Sequence, residues 1–169
     1  MSKSKADFDY NNIEVMRAEE EWQRAGAYSV RIEGMNRQHH IPLREEFDEQ
    51  DGPGTRYIVL LDDEYPIATC RFFEAENVAD TRFAGSGRVA MIGRVVVLPE
   101  YRSMGLGAKA VQEAEAWIRE LGFDAIGVDS RVVAVGFYEQ LGYELLAPEV
   151  YTSGPFECKA MIKQLTGRR

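Results

Sequence analysis

Residues 95–108 read Val95-Val96-Val97-Leu98-Pro99-Glu100-Tyr101-Arg102-Ser103-Met104-Gly105-Leu106-Gly107-Ala108. The apolar, β-branched start of this stretch predicts a strand that is buried on both faces. Pro99 should end that strand, because proline has no N–H to donate to a neighbouring strand. The glycine-rich turn that follows enters a long helical pattern. The backbone N–H groups of such a turn and the positive end of the helix dipole suit a phosphate or pyrophosphate.

A tight strand-to-helix turn without a ligand is the structural alternative, because short glycine motifs often serve only that purpose. The spacing differs from the six-position glycine pattern of dinucleotide-binding folds. No Lys-Ser or Lys-Thr pair follows, so the stretch is not a nucleoside triphosphate loop. Gly105 and Gly107 have no Cβ, so a ligand can approach the backbone closely. Arg102 precedes the first glycine by three residues and follows the end of the predicted strand by four.

The composition is that of an ordinary globular protein. Of the 169 residues, 45% are hydrophobic and 28% are charged, which is typical of a folded domain with a substantial core. We expect a flexible tail over residues 1–12 and a single domain over residues 13–169. No apolar run approaches membrane-spanning length, and the N-terminal residues lack the apolar core of a signal peptide.

The net charge and the cysteine content indicate which classes of binding partner and which compartment to expect. The net charge of −8 argues against nucleic acid, which requires clustered basic residues, and fits a cationic or amine substrate. The two cysteines, Cys70 and Cys158, favour reduced thiols in the cytoplasm. We interpret Cys158 as a buried, inert thiol, and a position near the reacting group is the alternative. With two histidines and no spaced carboxylate motif, a metal site is not expected.

Hydrophobic periodicity predicts an α/β domain. The predicted strands are residues 13–17, 57–61, 67–73, 88–98, 124–129, 143–146 and 156–163, and residues 148–154 are predicted to be a loop. A helix from Glu19 should bend or end near Gly34, with Trp22, Ala25, Ser29, Ile32 and Met35 on one face. Further helices are expected over residues 108–121 and 132–141. The strand, helix and strand over residues 88–129 form a right-handed parallel crossover.

Two segments resemble the GNAT superfamily of N-acetyltransferases. Residues 95–107 are similar to its acetyl-CoA-binding signature, Arg/Gln-x-x-Gly-x-Gly/Ala. Residues 134–143, Ala-Val-Gly-Phe-Tyr-Glu-Gln-Leu-Gly-Tyr, resemble the family segment Phe-Tyr-Glu-x-x-Gly-Phe. The resemblance implies a mixed, mostly antiparallel sheet with a splayed parallel strand pair, flanked by helices.

The same resemblance assigns residues to acetyl-CoA. The pantetheine arm is expected to contact Val95, Val96 and Val97. The pyrophosphate is expected on the turn formed by Arg102, Ser103, Met104, Gly105, Leu106, Gly107 and Ala108. Arg131 departs from the asparagine of many relatives, which puts a coenzyme contact there in doubt.

Tyr138 matches the position at which many GNAT enzymes place a tyrosine near the CoA sulfur. Attack of an amine on a thioester expels a thiolate, and a phenol can protonate it. General acid catalysis is therefore one interpretation of Tyr138, and core packing or coenzyme positioning is the other. Its neighbour Phe137 is assigned to the core.

Residues 37–52, Arg-Gln-His-His-Ile-Pro-Leu-Arg-Glu-Glu-Phe-Asp-Glu-Gln-Asp-Gly, resemble a subgroup of small bacterial GNAT proteins with an Ile-Pro-Leu-x-x-Glu-x-Asp-x-x-Asp stretch. This segment is either a solvated acidic loop or part of the rim of the substrate site.

The general base that deprotonates the amine could be any of four residues, which are Glu33, His39, His40 and Glu45.

Two arginines fall within predicted strands. Arg71 lies in an apolar strand and needs either a partner or a water-lined cleft. Arg94 shares the face of Ile92 and Val96, opposite Gly93, Val95 and Val97. Each is either a paired structural arginine or a residue that contacts substrate.

The predicted reaction is direct transfer of an acetyl group from acetyl-CoA to a small-molecule or peptide amine. The alternative is a non-catalytic CoA-binding or regulatory module on the same fold. The sequence leaves open the acyl group, the identity of the amine and whether the chain forms a homodimer.

Overall fold

The computed structural model of the protein describes residues 8–76 and 81–165. Most of the predicted N-terminal tail, residues 1–7, lies outside the described residues. Tyr10–Asn12 form one turn of 3-10 helix. The carboxylate of Asp9 accepts a hydrogen bond of 2.9 Å from the Asn11 N–H at the start of this turn, as a helix-capping residue does.

The described residues form eight strands and five α-helices. The strands are β1 (Ile13–Arg17), β2 (Arg56–Asp62), β3 (Tyr65–Glu74), β4 (Val89–Val97), β5 (Ala125–Arg131), β6 (Glu144–Leu145), β7 (Tyr151–Ser153) and β8 (Phe156–Gln164). The helices are α1 (Glu21–Arg31), α2 (Arg37–His39), α3 (Leu43–Glu46), α4 (Leu106–Glu120) and α5 (Val135–Gln140). Single turns of 3-10 helix lie at Glu49–Asp51, Thr81–Phe83, Pro99–Tyr101 and Val132–Ala134.

The strands form a mixed sheet in the order β1-β2-β3-β4-β5-β8-β6, and β7 also pairs with β8. The sheet is mostly antiparallel with one parallel pair, β4 and β5, as the family resemblance implies. The parallel register runs from Val89↔Ala125 to Ile92↔Val128. Both strands continue past it, β4 to Val97 and β5 to Arg131.

The described residues divide into two compact units, and the prediction of a single domain stays a prediction. The first unit contains residues 8–71 and 94–114, and the second contains residues 72–76, 81–93 and 115–165. In the first unit, one buried cluster joins Tyr57, Val59 and Leu61 of β2 to Ala27 of α1 and to Ala18, which lies between β1 and α1. In the second, the core includes Ala75, Phe83, Val89, Met91, Ala125 and Ile162. These buried side chains supply the main stabilising free energy of each unit.

The segment Pro148–Gly154 was predicted to be a loop, and this prediction is wrong. It contains β7, whose Tyr151 pairs with Cys158 of β8. A strand of three residues is too short to show an alternating pattern, so only its partner strand reveals it.

Helix α1 begins one residue after Glu20, which forms a reciprocal capping box with Gln23. The predicted apolar face is wrong, because Trp22 is 51% exposed, Ala25 is also exposed, and the other predicted members are only half-buried. The buried residues of α1 are Ala27, Val30 and Arg31. Because one of the buried positions is an arginine, the buried face of α1 does not appear as an apolar face in the hydrophobicity pattern of the sequence.

The predicted bend near Gly34 is a π-helical turn at Ile32–Asn36. A Cβ built on Gly34 would lie 2.6 Å from Val96 Cγ1 and 3.4 Å from the Val97 carbonyl oxygen. Gly34 therefore permits the helix to lie directly against the end of β4. In the described part of the chain, no helix is both long and apolar enough to cross a membrane.

Candidate functional site

The glycine-rich turn joins β4 to α4 in the first unit. After the 3-10 turn at Pro99–Tyr101, Ser103 (φ 62°) and Gly105 (φ 75°) adopt left-handed backbone conformations. The Lys109 N–H donates to the Gly105 carbonyl at 3.1 Å, which closes the first turn of α4. The first N–H groups of a helix have no acceptor within the helix, so this turn presents donors suited to an anion.

Arg102 holds this turn in place. Its Nε donates to the Val97 carbonyl at 3.1 Å and its Nη2 to the Gly34 carbonyl at 3.0 Å. The guanidinium thus joins the turn to the end of β4 and to the π-helical segment. A π-helical turn is a frequent feature of functional sites.

The remaining residues predicted to bind acetyl-CoA lie along the same stretch. Val95 and Val97 are half-buried, Val96 is buried, and Ser103 and Gly105 are exposed. Leu106 is only 1% exposed, so its side chain serves the core and only its backbone faces the turn. Met104, Gly107 and Ala108 are half-buried.

Within β4, Arg94 has a left-handed backbone conformation, with a φ of +49°. A left-handed residue other than glycine inside a strand is costly, and such residues concentrate at functional sites. The predicted alternation of faces therefore does not continue across Arg94, because alternation requires an unbroken extended backbone. The main-chain N–H groups that follow this point belong to Val95, Val96 and Val97.

Six charged side chains of the first unit pair with one another, and we call them the arginine–carboxylate cluster. They are Arg31, Arg71, Arg94, Glu46, Asp48 and Asp51. The three carboxylates are the Glu-x-Asp-x-x-Asp residues of the segment that resembles the bacterial subgroup. The sequence is compatible with a solvated loop or a substrate rim here. In the structure Glu46 is 4% exposed and is the last residue of α3.

Arg31 lies at the buried centre of the cluster, with no solvent exposure. Its Nη1 and Nη2 donate to the two oxygens of Asp51 at 2.7 and 3.0 Å. Its Nε donates to Glu46 Oε1 at 3.1 Å, and its guanidinium lies 4.3 Å from the centre of the Phe47 ring. Sequence reasoning missed Arg31, and the only signal was a charged residue in the buried stripe of α1.

Both arginines that were predicted to contact substrate are paired. Arg71 Nη1 lies 3.2 Å from Asp48 Oδ1 and 2.8 Å from Asp51 Oδ1, and the Arg71 side chain is only 5% exposed. Arg94 Nη2 donates to the Glu46 carbonyl at 3.1 Å and to Asp48 Oδ2 at 3.3 Å. The Arg94 side chain is 31% exposed, so of the two it is the more accessible to a substrate.

Burial and pairing shift the pKa values of this cluster. Burial alone would raise the pKa of Asp51, but hydrogen bonds from Arg31 and Tyr57 outweigh it and hold that pKa far below its usual range. Burial, with Tyr28 and Asp51 nearby, raises the pKa of Tyr57. For Arg94, burial lowers the pKa and the charge of Glu46 opposes this.

The open candidates for the general base lie on or near the helical segments. His39 and His40 are exposed, and His40 has a φ of 55°. Glu45 is exposed. Glu33 pairs with Arg37 at 2.9 Å on the surface. None of these four side chains is buried, and the structure does not single one out.

Tyr138 lies in the second unit, on α5. It is 8% exposed, and its ring packs edge-to-face on Phe137 and Tyr143 with centroid distances of 4.9 and 5.5 Å. Tyr143 donates from its hydroxyl to Glu115 Oε2 at 3.3 Å. The Tyr138 ring is therefore held rigidly by packing, with few alternative rotamers open to it.

Two further residues of the second unit were singled out in the sequence. Cys158 is 4% exposed, and burial, together with the charge of Asp129, raises the pKa of its thiol. This favours the thiol form, which is a poor nucleophile. The guanidinium of Arg131 lies 4.1 Å from the centre of the Phe156 ring, a cation–π contact.

Known proteins are similar to this chain in sequence and in fold. The chain is 30% identical over 123 residues to an uncharacterized acetyltransferase of Streptococcus pyogenes serotype M3, covering 73% of this chain and 79% of the relative. The crystal structure of a candidate N-acetyltransferase from Lactobacillus plantarum superposes with a TM-score of 0.78 at 29% identity, covering 92% of this chain and 100% of the other.

A more distant structure shares the fold alone. The NatC complex bound to Gag peptide and CoA matches with a TM-score of 0.68 at 18% identity, over 92% of this chain and 99% of that one. The sequence profile described as the acetyltransferase (GNAT) family matches residues 14–143. On this evidence, the chain belongs to the GNAT family of acetyltransferases.

Proposed function

We propose that this protein transfers an acetyl group from acetyl-CoA directly to a primary amine. The observation that carries the proposal is the turn between β4 and α4. Its residues Ser103 and Gly105 are left-handed, and it leads into a helix of 15 residues in a chain of an acetyl-CoA-using family. The coenzyme pyrophosphate would bind to the N–H groups of residues 102–108.

The chemistry requires three groups. The amine must lose its proton before it attacks the thioester carbonyl. A main-chain N–H of Val95, Val96 or Val97 stabilises the resulting oxyanion. The carbon–sulfur bond then breaks, and the Tyr138 phenol donates its proton to the departing thiolate. We propose Arg94 as a substrate contact, because its partial exposure leaves it accessible; Arg71 supports it through Asp48.

Coenzyme binding is tested first, by calorimetric titration with acetyl-CoA and desulfo-CoA. Gly105 is a poor site for the test, since its positive φ makes any substitution strained. We choose Gly107→Asp, which places a negative charge in the first turn of α4. Gln112→Asp is the matched control, because it adds the same charge at an exposed position of the same helix. We expect Gly107→Asp to abolish binding and Gln112→Asp to retain it.

Absence of coenzyme binding by the native protein would contradict the proposal. Binding without turnover of any amine would favour the non-catalytic module instead. Turnover is measured by release of free CoA across a panel of small-molecule and peptide amines, which also identifies the acceptor class.

The role of Tyr138 is tested with Tyr138→Phe. We expect kcat to fall by about 100-fold or more with little change in the KM for acetyl-CoA, because general acid catalysis contributes about 10²–10⁴ in rate. Tyr143→Phe is the matched control, since it removes a phenol from the neighbouring ring. An unchanged kcat in Tyr138→Phe would rule out general acid catalysis by Tyr138 and assign its ring to core packing or coenzyme positioning.

A further inference from the structure

Tyr10 lies against the glycine of the predicted phosphate turn. A Cβ built on Gly105 would lie 2.5 Å from the Tyr10 hydroxyl oxygen. The space that glycine leaves open at this turn is therefore lined by a phenol from the N-terminal segment. Tyr10 is 43% exposed, so its hydroxyl stays accessible to a ligand on the turn.

Aromatic contacts hold the N-terminal segment on the turn. The Phe8 ring packs edge-to-face on Tyr10 at 5.4 Å and on Tyr101 at 6.0 Å, measured between ring centroids. Tyr101 is itself fixed, because its hydroxyl donates to the buried Asp62 carboxylate at 2.8 Å. Burial and the Asp62 charge raise the pKa of Tyr101 to about 12. These contacts make residues 8–10 part of the wall of the turn.

Lys109 brings a positive charge to the same place. Its Nζ lies 5.3 Å from the centre of the Tyr10 ring, and its backbone N–H donates to the Gly105 carbonyl. A lysine ammonium over the face of an aromatic ring is attracted by the ring quadrupole. A phenol hydroxyl, an ammonium group and the first N–H groups of α4 are thus brought together around Gly105.

We propose that Tyr10 and Lys109 are additional coenzyme-binding residues that hold a phosphate group of CoA at this turn. The proposal rests on the proposed function, which places the coenzyme on residues 102–108. The Tyr10 hydroxyl donates a hydrogen bond to a phosphate oxygen, and Lys109 neutralises part of the phosphate charge. Charge-assisted hydrogen bonds of this kind are shorter and stronger than neutral ones.

The experiment compares three ligands by calorimetric titration: CoA, 3′-dephospho-CoA and 4′-phosphopantetheine. We expect Tyr10→Phe to weaken CoA binding by about 10-fold or more and Lys109→Gln by a similar factor, the size of a hydrogen bond to a charged group. Lys109→Arg keeps the charge and should retain most of the affinity. A loss that persists with 3′-dephospho-CoA assigns the contact to the pyrophosphate, and a loss that vanishes assigns it to the 3′-phosphate.

The controls make the same chemical changes elsewhere. Tyr65→Phe removes an exposed phenol, and Lys159→Gln removes a lysine charge in the second unit; both should leave CoA affinity unchanged. Equal or tighter CoA binding by Tyr10→Phe would overturn the inference and leave the proposed function standing. Failure of the native protein to bind any of the three ligands would overturn the proposed function and this inference with it.

Discussion

Arg31 is the most deeply buried charge in the described part of the chain; of its two carboxylate partners, Glu46 is buried and the Asp51 side chain is 9% exposed. Replacing it with the similarly long Met removes the charge that Glu46 and Asp51 share, and leaves Arg94 as the partner of Glu46 and Arg71 as the partner of Asp51. We expect Arg31→Met to lower the free energy of unfolding by about 3–5 kcal/mol, because the cluster then holds three carboxylates against two guanidinium groups and a poorly compensated buried charge is costly. Urea unfolding measures the change.

Arg37→Met is the matched control. Arg37 forms an exposed i,i+4 pair with Glu33, and the two side chains are 70% and 52% exposed. Exposed pairs contribute little, so we expect a change within about 0.5 kcal/mol. A loss of less than about 1 kcal/mol in Arg31→Met would show that the cluster is hydrated and does not support the fold.

The depressed pKa of Asp51 leads to a separate prediction about how stability changes at acid pH. Burial would raise its pKa, but Arg31 and Tyr57 hold it far below the usual range in the folded protein. A carboxylate with a depressed folded-state pKa contributes stability that is complete above its unfolded pKa, near about 4, and that is lost as pH falls toward the folded value. Asp51→Asn should therefore be less stable than the native protein at pH 7, with the difference shrinking below about pH 4.

Urea unfolding at pH 7, 5 and 3 follows this difference. Glu149→Gln, which removes an exposed carboxylate, should show a difference near zero throughout. A difference between native and Asp51→Asn that stayed constant from pH 7 to pH 3 would mean that Asp51 has no depressed pKa.

At the scale of elements, the close approach of the π-helical turn to β4 depends on one missing side chain. Gly34→Ala would place a Cβ 2.6 Å from Val96 Cγ1, and such overpacking costs about 1–3 kcal/mol. Gly26→Ala is the matched control in α1, where the added Cβ would lie at ordinary contact distances of 3.4 Å and more. Alanine is the better helix former there, by up to about 1 kcal/mol.

The two substitutions should therefore change stability in opposite directions. Thermal unfolding gives the signs, and coenzyme titration shows whether Gly34→Ala also disturbs the turn, since Arg102 donates to the Gly34 carbonyl. If Gly34→Ala were as stable as Gly26→Ala, the helix could shift away from β4 without cost.

At the scale of the whole molecule, coenzyme binding should stabilise the folded state by mass action. With acetyl-CoA at 100 times its Kd, we expect about 2.7 kcal/mol of added stability. For a chain of this length that corresponds to an increase in Tm of about 5–10 °C. Differential scanning fluorimetry measures it, with Gly107→Asp as the variant that should show no increase. An unchanged native Tm at saturating acetyl-CoA would contradict coenzyme binding.

Elements with strong local patterns were predictable. The helix expected over residues 108–121 is α4, Leu106–Glu120, and the strand expected over residues 88–98 is β4, Val89–Val97. The first strand, Ile13–Arg17, has the predicted bounds. The short strand β7 was not predictable, because three residues acquire strand structure only through pairing with β8.

The sequence by itself determined the β4–α4 turn, the long amphipathic helix and the GNAT family, because these depend on β-branched runs, glycine positions and apolar spacing that act locally. Only the tertiary structure decided which charges pair. Arg31 meets Glu46 and Asp51 across 15 and 20 residues of chain, and Arg94 meets Asp48 across 46. The positive φ of Arg94 and the proximity of Tyr10 to Gly105 also depend on the tertiary structure. Desolvation and close packing act between residues that are distant in sequence and close in the fold, so a local sequence pattern does not predict their effects.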